Sequence, residues 1–119
     1  NGIAEGNEKC KLAQDKFIRT VVDYIARYYV LLGGCDVLCF TAGIGENSPL
    51  IRQKVCERLS YLGLNLDEEK NNLRPAPQEI TTSDSKVKVL VIPANEELMI
   101  AEETFELISE LKDKEAMAV

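Results

Sequence analysis

The chain has 119 residues, a formal net charge of −6 at pH 7 and no histidine. A chain of this length buries roughly two thirds of its unfolded surface, enough for one domain or part of one. The negative charge, which no basic patch offsets, disfavours a nucleic-acid partner. The lack of histidine excludes imidazole bases and histidine zinc sites, so any chemistry falls to carboxylates, arginine, lysine and main-chain amides.

The four cysteines lie in apolar segments and form no C-x-x-C pair; they are Cys10, Cys35, Cys39 and Cys56. This pattern favours buried, reduced thiols over disulfides or metal ligands, and it indicates a reducing compartment. The sequence has no signal-peptide pattern and no apolar run near the roughly 20 residues that a membrane-spanning helix needs. We therefore expect a cytoplasmic protein that does not contact a membrane.

The first predicted element is a long helix over residues 8–32. Apolar residues recur there at helical spacing in two adjacent rows, which make a wide apolar face. We expect such a helix to pack on more than one side, against a sheet and against another subunit. Gly33 follows it, as glycine commonly follows a helix. Residues 1–7 are small and polar and are expected to be a linker or a cut end.

A strand is predicted over residues 37–41, followed by a glycine turn. Consecutive apolar residues without alternation are typical of a strand that is buried on both faces. Gly43 and Gly45 can take positive φ and let the backbone approach a ligand closely. Two glycines between a strand and a helix also fit an ordinary tight turn, and the pattern alone does not decide between the two.

The next helix is predicted from Pro49 to about residue 61. Asn47 or Ser48 can cap it, because a side-chain oxygen there accepts an orphan amide while proline at the first position needs no acceptor. Residues 64–66 could form a short edge strand. Residues 67–73 read as a helical turn or a loop.

A second strong strand is predicted over residues 87–92, and a helix over 95–111 follows it directly. The residues expected to be buried by this helix are Leu98, Ala101, Phe105 and Ile108. The tail, residues 112–119, is expected to fray. Alternation of helices and strands predicts a layered α/β fold in which strands 37–41 and 87–92 run parallel.

Parallel strands place their carboxyl ends at one edge of the sheet, where open α/β sheets bind ligands. The turn at Gly43 and the segment Asn95–Glu97 should then face the same crevice. One offers backbone groups to a nucleotide and the other offers carboxylates that suit Mg²⁺. The alternative for Glu96 and Glu97 is charge compensation, since acids in a first helical turn stabilise it by about 0.3 to 1 kcal/mol without a ligand.

A dinucleotide fingerprint is a weaker alternative. Gly43 and Gly45 are followed by Ser48 where the third glycine of that fingerprint would stand. Asp67, the acid at about the right distance, does not close a robust strand. Both departures disfavour a dinucleotide site.

Two motifs resemble the C-terminal part of acetate kinases: FTAGIGENS at residues 40–48 and VIPANEELMIA at residues 91–101. The resemblance covers nearly the whole chain. It implies an α/β ribonuclease-H-like (actin-like ATPase) fold with three layers, of which residues 1–119 would form the C-terminal portion of the second kinase domain. The family moves a phosphoryl group between ATP and a short-chain carboxylate.

By this resemblance, the residues that would line the nucleotide are Gly43, Ile44, Gly45, Glu46 and Asn47. Glu96 would be the acid that holds Mg²⁺, with ATP or ADP as the bound substrate. The family also implies a homodimer. Positioning and charge neutralisation carry such phosphoryl transfer, so a chain without histidine raises no difficulty.

The family's acyl-phosphate-handling arginines and its catalytic Asp and Asn have no counterpart here, and no catalytic residue is assigned to this chain. We expect the chain alone to be inactive and to bind nucleotide weakly at best. Propionate or butyrate kinase remains an alternative, because the acyl pocket lies outside these residues. A non-catalytic actin-like nucleotide-binding module is disfavoured by the segment Asn95–Glu97, which such modules lack in this form.

Overall fold

The computed structural model describes residues 6–74 and 76–117, except for the side chains of 113 and 115–117. In chain order the elements are α1 (Glu8–Leu32), β1 (Val37–Phe40), α2 (Ala42–Asn47), α3 (Pro49–Arg58), a 3₁₀ turn (Ser60–Leu62), α4 (Glu68–Asn71), β2 (Gln78–Glu79), β3 (Lys88–Val91) and α5 (Glu96–Met117). None of the described helices is long and apolar enough to cross a membrane.

The sheet has three strands in the order β1-β3-β2. β1 and β3 are parallel, with Val37 opposite Lys88 and Phe40 opposite Val91. The predicted parallel pairing is therefore confirmed. β2 runs antiparallel to β3, and it was not predicted because its two residues show no apolar alternation.

Within the part of the chain that the structure describes, only one face of this sheet is covered. Phe40, Val89 and Val91 point into a core that also contains side chains from α1 and α3. On the opposite face Val37 and Cys39 of β1 are exposed. The prediction that this strand is buried on both faces is wrong, because β1 is an edge strand and no described helix covers its second face.

α1 has the predicted limits. Asn7, which we expected in a linker, caps it through a side-chain oxygen that accepts from the amides of Lys9 and Cys10 at 3.0 and 3.3 Å, while residues 1–5 lie outside the described part. Gly33 follows α1 with φ of 74°. Ile18 packs into the core against the sheet, but Tyr24 and other apolar residues of the outer rows are exposed. Packing against the sheet is confirmed, and packing against a subunit stays a prediction.

α3 begins as predicted. Ser48 caps it, accepting the amide of Ile51 at 3.4 Å, and Pro49 is its first residue. The helix ends at Arg58, and the 3₁₀ turn continues the chain to Gly63, whose φ is 82°. The predicted edge strand at 64–66 is reduced to one bridge between Leu66 and Thr81.

α5 differs most from expectation. It continues past residue 111 to Met117, so its predicted end was too early, and fraying of the last turns stays a prediction. The four residues predicted to be buried are all exposed, Phe105 to 73%. Amphipathic spacing correctly predicted the helix, but burial needs a surface to pack on, and the described residues provide none along α5.

The cysteines are free thiols, as predicted. Cys56 lies in the core, and its burial raises the pKa of the thiol to about 12. Cys39 is exposed on the open face of β1, so the prediction that these thiols are buried is wrong for it. Cys10 and Cys35 are partly buried.

Candidate functional site

A cavity of about 470 Å³ lies at the carboxyl ends of β1 and β3. Its lining comes from the two segments that directly follow these strands. The lining residues are Ala42, Gly43, Glu46, Ala94, Asn95, Glu96 and Glu97. The parallel pairing of β1 with β3 thus brings together the two segments that the sequence predicted to share a crevice.

The segment after β1 is the short helix α2, where a glycine turn was expected. Positive φ occurs at Ala42, at 58°, whereas Gly43 and Gly45 lack it, so that expectation was wrong. A Cβ on Gly45 would lie 3.4 Å from the carbonyl carbon of Phe40, which makes Gly45 a close-packing position. A Cβ on Gly43 would meet nothing within 4 Å. Gly43 therefore leaves backbone open to the cavity.

The five residues expected to line a nucleotide are not equivalent in this arrangement. Gly43 and Glu46 line the cavity, whereas Ile44, Gly45 and Asn47 do not. The Asn47 side chain donates from Nδ2 to the carbonyl oxygen of Gly43 at 2.9 Å. Asn47 thus stabilises α2 from within.

The Glu46 carboxylate links the two sides of the cavity. Its Oε1 accepts a hydrogen bond from the main-chain amide of Ala94 at 2.6 Å. These residues are 48 positions apart in the chain, and no local pattern could have paired them. The contact joins α2 directly to the segment before α5.

Glu96 and Glu97 are the first two residues of α5 and lie at the cavity. With Glu46 they give the lining three carboxylates and no basic side chain. The described residues contain no cluster of three or more carboxylate or thiol groups spaced to hold a metal ion. A single carboxylate can still serve Mg²⁺, which keeps several waters and takes one or two protein oxygens.

Arg52, on α3, lies directly behind α2. Its side chain is 1% exposed, and burial lowers the pKa of its guanidinium. Nη1 donates to the carbonyl oxygens of Gly45 and Glu46 at 2.9 and 2.6 Å. Nε and Nη2 donate to Oδ1 and the carbonyl oxygen of Asn71 at 2.8 and 2.6 Å.

Sequence reasoning missed Arg52, although a signal was present. It precedes Val55, Cys56 and Leu59, all buried, by three, four and seven positions, which is the spacing of the buried face of a helix. A charged residue at such a position needs hydrogen-bond partners inside the protein. The partners could not be inferred, because they come from α2 and α4.

The residues of the dinucleotide alternative have structural roles. Ser48 caps α3, and Asp67 caps α4 by accepting the amide of Lys70 at 3.0 Å. That hydrogen bond holds the pKa of Asp67 below its usual value. Neither residue lines the cavity, which disfavours the dinucleotide alternative.

Comparisons with known proteins agree with the motif resemblance. The family model of the Acetokinase family matches residues 1–102. The chain is 51% identical over 105 residues to the acetate kinase of Fervidobacterium nodosum and 52% identical over 103 residues to that of Carboxydothermus hydrogenoformans. Each match covers 87% of this chain and 26% of the relative. The chain thus spans about a quarter of the length of these relatives.

Solved structures of related enzymes have the same arrangement of elements. The Porphyromonas gingivalis acetate kinase superposes with a TM-score of 0.76 at 37% identity, over 89% of this chain and 27% of that one. A propionate kinase from Francisella tularensis superposes with a TM-score of 0.72 at 38% identity, over 85% and 26%. On the family match and these identities, the chain belongs to the acetokinase family.

Proposed function

We propose that this chain is the C-terminal portion of a phosphotransferase that converts acetate and ATP to acetyl phosphate and ADP, and that it supplies nucleotide and Mg²⁺ contacts. The observation that carries this proposal is the cavity shared by Gly43 and Glu96 at the carboxyl ends of two parallel strands. Membership of the acetokinase family supports it.

In this proposal the segment Gly43–Asn47 borders the nucleotide mainly through its main chain, and Gly43 and Glu46 are its members that line the described cavity. Gly43 suits that role because it presents no side chain to the cavity. Since the Glu46 carboxylate is held by Ala94, its side chain is not assigned to the nucleotide.

Glu96 is proposed as the acid that holds Mg²⁺. The lining carries three carboxylates and no cation, so a bare polyphosphate would be repelled there. A divalent ion held by Glu96 would supply that charge neutralisation. Glu96 would orient that ion against the nucleotide.

We assign no catalytic residue to this chain and propose that it is inactive by itself. Phosphoryl transfer needs cationic groups that position the reacting phosphate, and none lines the described cavity. A coupled assay for ADP formation should detect no acetate-dependent turnover. Calorimetry with ADP and Mg²⁺ should give weak binding at best, and a micromolar dissociation constant would contradict this.

The acyl substrate is proposed as acetate, with propionate or butyrate as the alternative. The similarity to a propionate kinase keeps that alternative open, since its identity to this chain is comparable to that of the acetate kinase structure. A non-catalytic actin-like nucleotide-binding module is the remaining alternative. Turnover by the chimaera described below separates a kinase portion from a non-catalytic module. The preference among acetate, propionate and butyrate has to be measured on the full-length enzyme, because the acyl pocket lies outside these residues.

We further propose that the chain completes a three-layer ribonuclease-H-like domain and that the whole enzyme is a homodimer. The uncovered face of β1 and the exposed outer rows of α1, including Tyr24 and Tyr28, support further packing. Sedimentation of the chimaera at several concentrations should give a dimer. A monomer throughout would contradict the homodimer.

A chimaera tests the proposed kinase function directly. In the Fervidobacterium nodosum acetate kinase, this chain would replace the matching segment, to which it is 51% identical. We expect acetate-dependent ATP turnover. Glu96→Gln should lower kcat/KM more than about 100-fold and raise the Mg²⁺ requirement, since losing a ligand should exceed the roughly 10- to 100-fold effect of losing its support.

Glu97→Gln is the matched control. It removes the neighbouring carboxylate from the same cavity, and kcat/KM should change less than about 5-fold, which corresponds to the upper limit of about 1 kcal/mol for helix-terminus charge effects. Equal losses from the two variants would contradict the assignment of Glu96. A chimaera that folds but shows no turnover would contradict the proposal that this chain is part of a kinase.

A further inference from the structure

Arg52 is an unusual residue to find in the core of this chain. It is almost fully buried, and none of the salt bridges among the described residues includes it. Its four hydrogen bonds go to neutral oxygens of Gly45, Glu46 and Asn71. Burying a charge without an opposite charge is expensive, so packing alone gives no reason for an arginine here.

The oxygens that Arg52 contacts explain its position. Gly45 and Glu46 are near the carboxyl end of α2. The last carbonyl oxygens of a helix receive no hydrogen bond from an N–H group of the same helix, and a cation is favoured beside them. One guanidinium nitrogen contacts both carbonyls. Asn71, itself buried, ties the other side of the guanidinium to α4 and donates from Nδ2 to the carbonyl oxygen of Pro49 at 3.0 Å. Arg52 thus fixes α2 to the packed part of the chain.

Glu46 continues the connection to the opposite wall. Its carbonyl oxygen accepts from Arg52, and its carboxylate accepts from the amide of Ala94. Ala94 is two residues before Glu96. A continuous set of hydrogen bonds therefore runs from α4 through Arg52 and Glu46 to the segment that carries the proposed metal ligand.

We propose that Arg52 and Glu46 are positioning residues that hold the Gly43 backbone and the Glu96 carboxylate in fixed register across the cavity. This inference rests on the proposed function, and it assigns the Glu46 carboxylate to holding Ala94.

Because the first residues of α5 are exposed, its first turn is held from the segment before it, where the amide of Ile92 donates to the carbonyl oxygen of Phe40 at 2.9 Å and the amide of Ala94 donates to Glu46. If the first turn of α5 were loosely held, a higher Mg²⁺ concentration would be needed for binding, and the chain would still fold.

The chimaera carrying Glu46→Gln and Glu46→Ala tests the part played by Glu46. Glutamine keeps an oxygen that accepts from the Ala94 amide but loses the charge, whereas alanine loses both. We expect Glu46→Gln to raise the Mg²⁺ concentration for half-maximal rate by no more than about 3-fold, less than Glu46→Ala does. Glu46→Ala should raise that concentration about 10-fold, in line with the loss of an orienting partner of a metal ligand. An equal rise of the Mg²⁺ requirement in both variants would show that the negative charge of Glu46 is what matters, and this would overturn the inference. Full activity of Glu46→Ala would overturn it as well.

Hydrogen exchange provides a readout that does not depend on turnover. Mass spectrometry of peptides spanning residues 92–97 should show faster amide exchange in Glu46→Ala than in Glu46→Gln or the parent. Unchanged exchange in Glu46→Ala would overturn the connection to Ala94. If Glu96→Gln left the chimaera fully active while exchange changed as expected, the assignment of Glu96 to Mg²⁺ would fail and the hydrogen-bond connection would stand. If the unsubstituted chimaera folded but was inactive, the proposed function itself would fail.

Arg52→Lys tests the part played by Arg52. Lysine keeps the charge but cannot reproduce the planar fork that serves two elements. We expect a higher Mg²⁺ requirement by about 3- to 10-fold, together with a lower melting temperature. Arg58→Lys is the matched control on the same helix, where the side chain is half exposed and pairs only loosely with Asp15 at 4.0 Å. A lower melting temperature with an unchanged Mg²⁺ requirement in Arg52→Lys would show a purely structural role and overturn its share of the inference.

Discussion

α1 and α5 are both long amphipathic helices, of 25 and 22 residues, yet only α1 is packed. α1 inserts Ile18 into the core between sheet and α3, with Val21 and Ile25 beside it. α5 leaves its apolar residues exposed, among them Phe105. The difference teaches that helix formation follows local sequence, whereas burial depends on whether a complementary surface is present.

Replacing one isoleucine of each helix with alanine should give the largest difference between α1 and α5 in the free energy of unfolding. Ile18 is 0% exposed and Ile100 is 64% exposed. Ile18→Ala should lower the free energy of unfolding by about 2–5 kcal/mol, and Ile100→Ala should change it by less than about 0.5 kcal/mol. Urea unfolding of the 119-residue chain, followed by circular dichroism, measures both.

If Ile18→Ala fails to fold, Ile18→Val should still fold and lose about 0.5–1.5 kcal/mol. Similar losses at Ile18 and Ile100 would mean that α5 is packed in solution.

A pH series sharpens the contrast between the packed region and the open face of the sheet. The Cys56 thiol has a pKa raised to about 12 by burial, against an ordinary value of 9.0. Above pH 9 the unfolded chain loses this proton while the folded chain keeps it, so the raised pKa stabilises the fold below pH 9 and that contribution falls as pH rises towards 12. The slope should be about −1.4 kcal/mol per pH unit.

Urea unfolding between pH 9 and 11 should show this slope in the parent chain and not in Cys56→Ala. Cys39→Ala is the comparison on the exposed face and should keep the parental slope. A slope that survives in Cys56→Ala would belong to another group.

α2 follows β1 at the cavity, and substitutions in it allow an effect on stability to be separated from an effect on function. Gly43→Ala should raise the free energy of unfolding by about 0.5–1 kcal/mol, because alanine favours helix over glycine and its Cβ meets no neighbour. In the chimaera the same change should raise the KM for ATP, since the methyl group enters the cavity. Gly45→Ala should stabilise by a similar amount, because its Cβ would make ordinary van der Waals contact with Phe40, at 3.4 Å from the carbonyl carbon.

Thermal unfolding and steady-state kinetics measure these two effects. A more stable Gly43→Ala chimaera with an unchanged KM would argue that the nucleotide does not approach Gly43.

The smallest effect is expected from shortening α5. Ending the chain at residue 104 removes exposed apolar side chains and no buried one among those described. The free energy of unfolding should change by less than about 0.5 kcal/mol, as for other changes at exposed positions. Urea unfolding of the 104-residue and parent chains measures this. A loss of several kcal/mol would contradict the exposed placement of α5.

Much of the candidate site was predictable because the residues that line its cavity lie in two contiguous segments. The strand that precedes each segment is readable as a short apolar run, and parallel pairing then follows from the intervening helices. The contact between Glu46 and Ala94 was not predictable, since it joins residues 48 positions apart. Arg52 was visible only as a charge on an apolar face, with its partners unknown.

The sequence by itself determined the helices α1, α3 and α5, the two parallel strands, the Gly33 cap and the family, because these depend on spacing and on residues adjacent in the chain. Tertiary structure decided which faces are buried, where positive φ occurs and which side chains hold the cavity walls together. β1 is at an edge and α5 is exposed for the same reason: burial is a property of two surfaces, and a sequence pattern describes only one of them.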